Sequence, residues 1–222
     1  MKIAVGVFPQ FTALDAIGPY EVLAKLPNAG VDAEVLLCAA RQGDVIDENG
    51  LLHFNVAHTF DDVPEPDIIL VPGGLITRKL IRDSDPIIDW IRAAHPHTTY
   101  TTSVCTGALL LAAAGLLDGL RATTHWRAYD VLSSYGAEPT EQRVVHEGKI
   151  LTAAGVSAGI DLALTLVGHI AGPEIAQGIQ LAIEYDPRPP FDAGTPSKAP
   201  AEISQRVEAV MAAAEDRLLR TT

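Results

Sequence analysis

Cysteine is scarce in this chain. Cys38 and Cys105 are the only two in 222 residues, too few for a disulfide framework, and neither stands in a cluster with metal-ligand spacing. Aromatic residues make up just 5%, so a core has to come from Ala, Val, Leu and Ile. Cationic residues are outnumbered: 16 Lys and Arg against 28 Asp and Glu leave a net charge of -12. A nucleic-acid grip needs a concentrated basic surface, and no basic tail or arginine-rich stripe is present. Long hydrophobic runs are missing too. The Ala/Leu run after Cys105 is broken by Gly115, Asp118 and Gly119, no stretch reaches the length of a membrane span, and "MKIAVGVFPQF" is too short and too alternating for a signal peptide. A soluble cytoplasmic protein with no nucleic-acid and no membrane partner is the expectation.

What is present is 48% hydrophobic residues in a length that suits one large α/β domain. "KIAVGVF" has strand length, and "DAIGPYEVLAKL" follows with helical spacing and Pro19 placed early, where its missing N–H costs little. "VDAEVLLCAA" is a second strand. "GDVIDENGLLHFNV" carries the hairpin signal Asn49-Gly50. "PDIILVPGG" runs as a strand into Gly73-Gly74, and a helix "DPIIDWIRAAH" comes after it. "TTYTTSV" is β-branched and strand-like, and "GALLLAAAGLLDG" is helix-like. "RVVHEGKILTAA" suggests a hairpin turning at Glu147-Gly148, and "SAGIDLALTLVGHIAG" a helix with Ser157 as N-cap. Strands alternating with helices predict a mostly parallel sheet covered on both faces. From Tyr185 the chain is rich in Pro, Gly and charge, and one helix, "AEISQRVEAVMAAAEDRLLR", follows with no core of its own. Residues 1–222 are therefore read as a single domain, with 185–222 as a C-terminal arm packing on that domain or on a second subunit.

Cys105 falls between "TTYTTSV" and "GALLLAAAG", at the carboxyl end of a strand, where open α/β sheets bind their ligands. The nearby helix N-terminus favours thiolate, and Gly107 leaves room for a sharp turn. A nucleophile and a small buried hydrophobe fit that position equally; Cys38 lacks such neighbours and is read as buried. Gly73 and Gly74 end a neighbouring strand. Their N–H groups would either stabilise a developing anion or simply make a turn. Asp15 follows the first strand, as a carboxylate at the same sheet edge or as a helix N-cap. Three strand ends converging with a thiol, N–H donors and a carboxylate make a stronger case than any one alone.

"SVCTGALLLAAAGLLDGLRATTHW", with "VPGG" upstream, "FTALDAIGPYEVL" near the start and "PPFDAGTPSKA" late, resembles the ThiJ/PfpI superfamily, flavodoxin-like relatives of the class I glutamine amidotransferases. Within it the motifs are most similar to the isonitrile hydratases, although "SVCTGA" and "ATTHW" also occur in sensor domains of some transcription regulators. The resemblance implies a flavodoxin-like three-layer sandwich with Cys105 as the nucleophile on a strand-to-helix elbow. Thr106 matches the threonine after the hydratases' nucleophile, and Asp15 the carboxylate beside it. Gly73 and Gly74 match the glycine pair near the thiol. Val156 either walls the pocket or belongs to the core. His125 is read as a capping or second-sphere histidine and Glu21 as a solvated or capping carboxylate. Where other catalytic branches have a histidine directly after the cysteine, Thr106 stands here, which speaks against peptide hydrolysis.

The resemblance also implies a reaction on a small uncharged isonitrile. The Cys105 thiolate attacks the terminal carbon to form a thioimidate. Water adds to the same carbon, and expulsion of the thiolate leaves an N-substituted formamide. Asp15 shuttles the proton, and the Thr106 hydroxyl orients Asp15, the thiol or the water. Neither a metal nor an organic cofactor is implied, and His95 and His97 in "HPH" are read as a surface loop. A homodimer is expected from the superfamily. The rival readings are a small-molecule or oxidation sensor without chemistry and another superfamily enzyme acting on glyoxals or peptides.

Overall fold

Ile68 to Val71 are buried at every position, and only the first residue of Lys2–Gly6 reaches solvent. Strands covered on both faces need apolar residues throughout rather than in alternation, which is the signature of a parallel sheet. In the computed structural model, which describes residues 1–220, the first half of the chain runs β1 (Lys2–Gly6), α1 (Ala13–Leu23), β2 (Glu34–Ala39), β3 (Gly43–Ile46), β4 (His53–Val56), β5 (His58–Thr59), β6 (Ile68–Val71), α2 (Thr77–Arg82) and α3 (Pro86–Ala94). It continues through β7 (Tyr100–Val104), α4 (Gly107–Ala113), β8 (Arg121–Ala122), α5 (Tyr129–Ser134), β9 (Glu138–Pro139), β10 (Val144–Glu147), β11 (Ile150–Ala153), α6 (Ala158–Ala171), α7 (Pro173–Ala182) and α8 (Ala201–Arg220).

Seven strands form the main sheet in the order β10-β11-β7-β6-β1-β2-β5. All its pairings are parallel except β10 with β11, a hairpin that turns at Gly148 in the left-handed region. The predicted Asn49-Gly50 hairpin is there as well, joining β3 and β4 in a separate two-stranded ribbon. From β1 the chain builds outward to β2 on one side, then returns through β6 to β7 on the other. The strand order reverses between β1 and β6, and a crevice opens at the carboxyl ends of strands at such a point. The loops after β1, β6 and β7 all leave from that edge.

Several local expectations shift. Pro19 lies well inside α1, which begins at Ala13, and its ring packs against α6, where a Cβ on Gly159 would come within 3.0 Å of it. Ser157 precedes α6 but holds helical angles and makes no capping bond; Arg143 Nη2 donates to its hydroxyl instead. The helix after Cys105 stops at Ala113, and Gly115 turns the chain with φ +83°. Helix α7 is an addition to the expected elements; Gly172 ends α6 with φ +91° and Pro173 opens α7 at the first helical position. Asp85 caps α3 by accepting from Ile87 N–H at 3.0 Å. One contiguous core extends from Ile3 to Ile179, and Leu218 of α8 packs against it.

Candidate active site

Cys105 and Thr106 are the two residues between β7 and α4, and Cys105 holds φ 56°. A left-handed conformation is costly for a residue with a Cβ, about 1–2 kcal/mol. The surroundings enforce it. Cys105 N–H donates to the carbonyls of Ala153 and Ala154 at 3.1 and 3.0 Å, and its own carbonyl accepts from Thr124 Oγ1 at 2.9 Å. Gly107 must be glycine, because a Cβ would stand 2.2 Å from the Val71 carbonyl oxygen. The elbow thus lies directly against the end of β6.

Asp15 sits in the first turn of α1 with no exposed surface. It does not cap that helix. Its Oδ2 accepts from Gly73 N–H at 2.8 Å, while Oδ1 finds no backbone or hydroxyl donor among the described residues. Burial pushes the carboxyl up to about 7, and the charge of Glu48 adds to that; the Gly73 N–H and the Cys105 thiol pull the other way. A carboxyl that titrates near neutrality can both take and give a proton at working pH.

The thiol of Cys105 is raised by burial first and then by the negative charge of Asp15. The N–H groups of Val156 and Thr106 and the Thr106 hydroxyl act against this by donating toward sulfur. Sequence considerations favoured a thiolate at the helix N-terminus; α4 is only seven residues long and burial outweighs it. At rest Cys105 is a thiol beside a carboxyl that titrates near neutrality, which puts a proton acceptor next to the sulfur.

The glycine pair differs from its expected role. Gly73 N–H is bound to Asp15 and Gly74 N–H donates to Thr106 Oγ1 at 2.9 Å, so neither is free for an anion on a substrate. They position the acid and the threonine instead. Thr106 Oγ1 in turn lies 3.0 Å from the Gly74 carbonyl as donor; rotation of its one proton toward sulfur exchanges that bond for one to the thiolate. A Cβ on Gly73 would fall 2.5 Å from Thr106 N, so the close approach itself demands glycine. His125 takes the capping role: its Nδ1 accepts from Arg127 N–H at 3.4 Å. Burial and the Arg127 charge hold it down at about 4, a neutral ring on the cavity wall. Val156 lines the cavity and supplies an N–H to sulfur. Glu21 pairs with Lys25 at the surface, and Cys38 is fully buried in β2.

The cavity over the thiol measures about 440 Å³ and includes Cys105, Thr106, Gly74, His125 and Val156. It also includes Arg78, Arg127 and one face of α8 with Met211, Ala214, Glu215 and Leu218, none of which the sequence reading singled out. The spacing of those α8 residues at i, i+3, i+4 and i+7 is the signal that marks a buried helical face. No cluster of His, Cys, Asp or Glu suited to a metal ion occurs among the described residues.

Comparison with known proteins supports the same reading from another direction. The chain is 44% identical to an isonitrile hydratase from Pseudomonas putida over 221 residues, covering 100% of this chain and 93% of that one. A ThiJ/PfpI family protein from Pseudomonas syringae superposes with a TM-score of 0.90 at 33% identity, over 98% of this chain and 88% of its own. An HTH-type transcriptional regulator, CdhR, from Pseudomonas aeruginosa is 31% identical over 140 residues, which is 62% of this chain but 41% of the regulator. Residues 1–169 match the model of the DJ-1/PfpI family. With the elbow cysteine, its acid and the parallel sheet that aligns them all falling inside that matched stretch, the chain belongs to the DJ-1/PfpI family.

Proposed function

We propose that this protein is an isonitrile hydratase that converts R–N≡C and water to an N-substituted formamide without a cofactor. The observation that carries the reading is the pairing of Cys105 with a fully buried Asp15 that titrates near 7, in a cavity walled mainly by apolar groups. Full-length similarity to the Pseudomonas putida hydratase supplies the substrate class.

Chemistry follows from one mobile proton. Asp15 takes the proton of the Cys105 thiol as sulfur bonds to the terminal carbon, and returns it to that carbon, giving the thioimidate R–N=CH–S–Cys105. Water then adds across the C=N bond; Asp15 accepts one of its protons and passes it to nitrogen. The remaining hydroxyl becomes the carbonyl as the C–S bond breaks, and sulfur leaves as a thiolate steadied by the N–H groups of Val156 and Thr106. Reprotonation restores the thiol, so the sum is one water added and nothing oxidised or reduced. Splitting the hydration into two steps lowers each barrier. Burial holds His125 neutral, so no imidazolium takes part in these proton transfers.

The chain acts as a homodimer in a cytoplasmic, thiol-reducing setting within this proposal. Leu51 and Leu52, 80% and 46% exposed at the tip of the β3–β4 ribbon, form an apolar surface that a second copy would cover. Sedimentation equilibrium tests this with a mass twice that of the chain. For the activity, purified wild type is given cyclohexyl isocyanide and the formamide followed by ultraviolet absorbance. Turnover in wild type and none in Cys105→Ala is expected. A folded, reduced wild type that makes no formamide would sink the assignment.

A further inference from the structure

Helix α8 lies outside the stretch matched by the family model, yet it forms one side of the cavity above Cys105. Beside the packing of Leu218 on the core, charged contacts hold it to the domain. Glu215, 8% exposed, meets Arg78 Nε at 2.7 Å and Arg127 Nη1 at 3.6 Å, and Arg82 Nη1 donates to the Leu219 carbonyl at 2.6 Å near the helix end. Arg78 and Arg82 come from α2, while Arg127 comes from the segment after β8 that also carries His125. Two separate parts of the domain therefore grip a single carboxylate.

A buried ion pair adds little net stability compared with apolar packing, because both charges lose water; its best-attested use is to fix register. Apolar contacts alone would let a helix slide or rotate by a residue. A carboxylate shared by two arginines has one seat. With Glu215 in it, Met211 lies one turn earlier on the same face and Leu218 nearly one turn later, and both point into the cavity that holds the thiol. Among the cavity's larger apolar side chains, Leu75, Val156, Met211 and Leu218, Met211 is the unbranched and most adaptable one that a substrate's substituent would meet.

We infer that α8 is the specificity wall of this site: Glu215, clamped by Arg78 and Arg127, sets the helix register, and Met211 limits the bulk of the group R carried by the isonitrile. The inference rests on the isonitrile reading above and extends it to the shape of the substrate. Met211 and Glu215 touch no reacting atom. They act on which substrates reach Cys105, so their effect belongs in the comparison between substrates.

The test measures kcat and KM for methyl, cyclohexyl and 1-adamantyl isocyanide with wild type, Met211→Ala, Met211→Phe and Glu215→Gln. Adding or removing a methylene in an apolar pocket changes discrimination by about 10–200-fold. Met211→Ala should raise the adamantyl-to-methyl ratio of kcat/KM by about tenfold or more, mainly through KM, and Met211→Phe should lower it. Glu215→Gln should raise KM for cyclohexyl isocyanide several-fold and blur the size ranking; a merely structural role would depress kcat for all three substrates alike. Turnover with ratios unchanged within about twofold in both Met211 variants overturns the assignment of α8 alone. Absence of any formamide from wild type overturns the isonitrile reading and this assignment with it.

Discussion

Asp15 concentrates most of the site's chemistry in one carboxyl. Its proton affinity near neutrality comes from burial, with Glu48 adding charge and Gly73 N–H opposing. In the proposed mechanism the thiol is activated only when Asp15 is free to take its proton. Activity should therefore rise with pH through a limb near 7, and the limb should vanish in Asp15→Asn together with about 10²–10⁴-fold of kcat. Stability moves the opposite way. Asp15 binds its proton more tightly folded than unfolded, so the native state loses stability as pH rises from about 4 to about 7 and levels off above. Asp15→Asn lacks this loss. Thermal unfolding should show the variant gaining on wild type steadily across that range, by up to about 4 kcal/mol. A constant difference between the two proteins from pH 4 to pH 8 would contradict the assigned titration.

At the scale of elements, the elbow between β7 and α4 stores conformational strain in Cys105. Replacement by glycine relieves a left-handed backbone that alanine must still bear. Cys105→Gly should therefore be more stable than Cys105→Ala by about 1 kcal/mol in urea denaturation, the reverse of the usual order. Gly73→Ala should be destabilised by about 1–3 kcal/mol and lose most activity, since the new methyl would displace Thr106 from Gly74. The sheet and its hairpins were legible because burial on both faces writes continuous apolar runs and tight turns demand Asn-Gly or Glu-Gly. Cys105 and Asp15 were legible through their place after strands and the motifs around them. The donors of Gly73 and Gly74 were not, because the direction of an N–H depends on backbone torsions that a glycine leaves open. Pro19 was misplaced by a few positions, since the extra turn of α1 before it is held by Thr12 N–H bonding to Gly73 across the crevice. The role of α8 was hidden for a different reason: its partners Arg78 and Arg127 are distant in sequence, and a Glu on an amphipathic helix looks solvated until the fold brings them together.

For the whole molecule, a net charge of -12 has little effect on a neutral substrate. Salt screens long-range fields between charges, and an isonitrile of this class carries none. The value of kcat/KM should stay within about twofold between 50 and 500 mM salt, and a steep dependence would point to a charged substrate steered to the arginines beside the cavity. Cys38 has a quieter significance. It has no exposed surface, its thiol is pushed up to about 12 by burial, and it bonds to the Val5 carbonyl in the adjoining strand. Reagents that reach Cys105 through the open cavity meet no path to Cys38 unless β1 and β2 separate. In Cys105→Ala the remaining thiol is thus a built-in clock for rupture at the middle of the sheet. Its labelling rate by a small thiol reagent, followed by mass, reports how often the protein opens under the conditions in which it works.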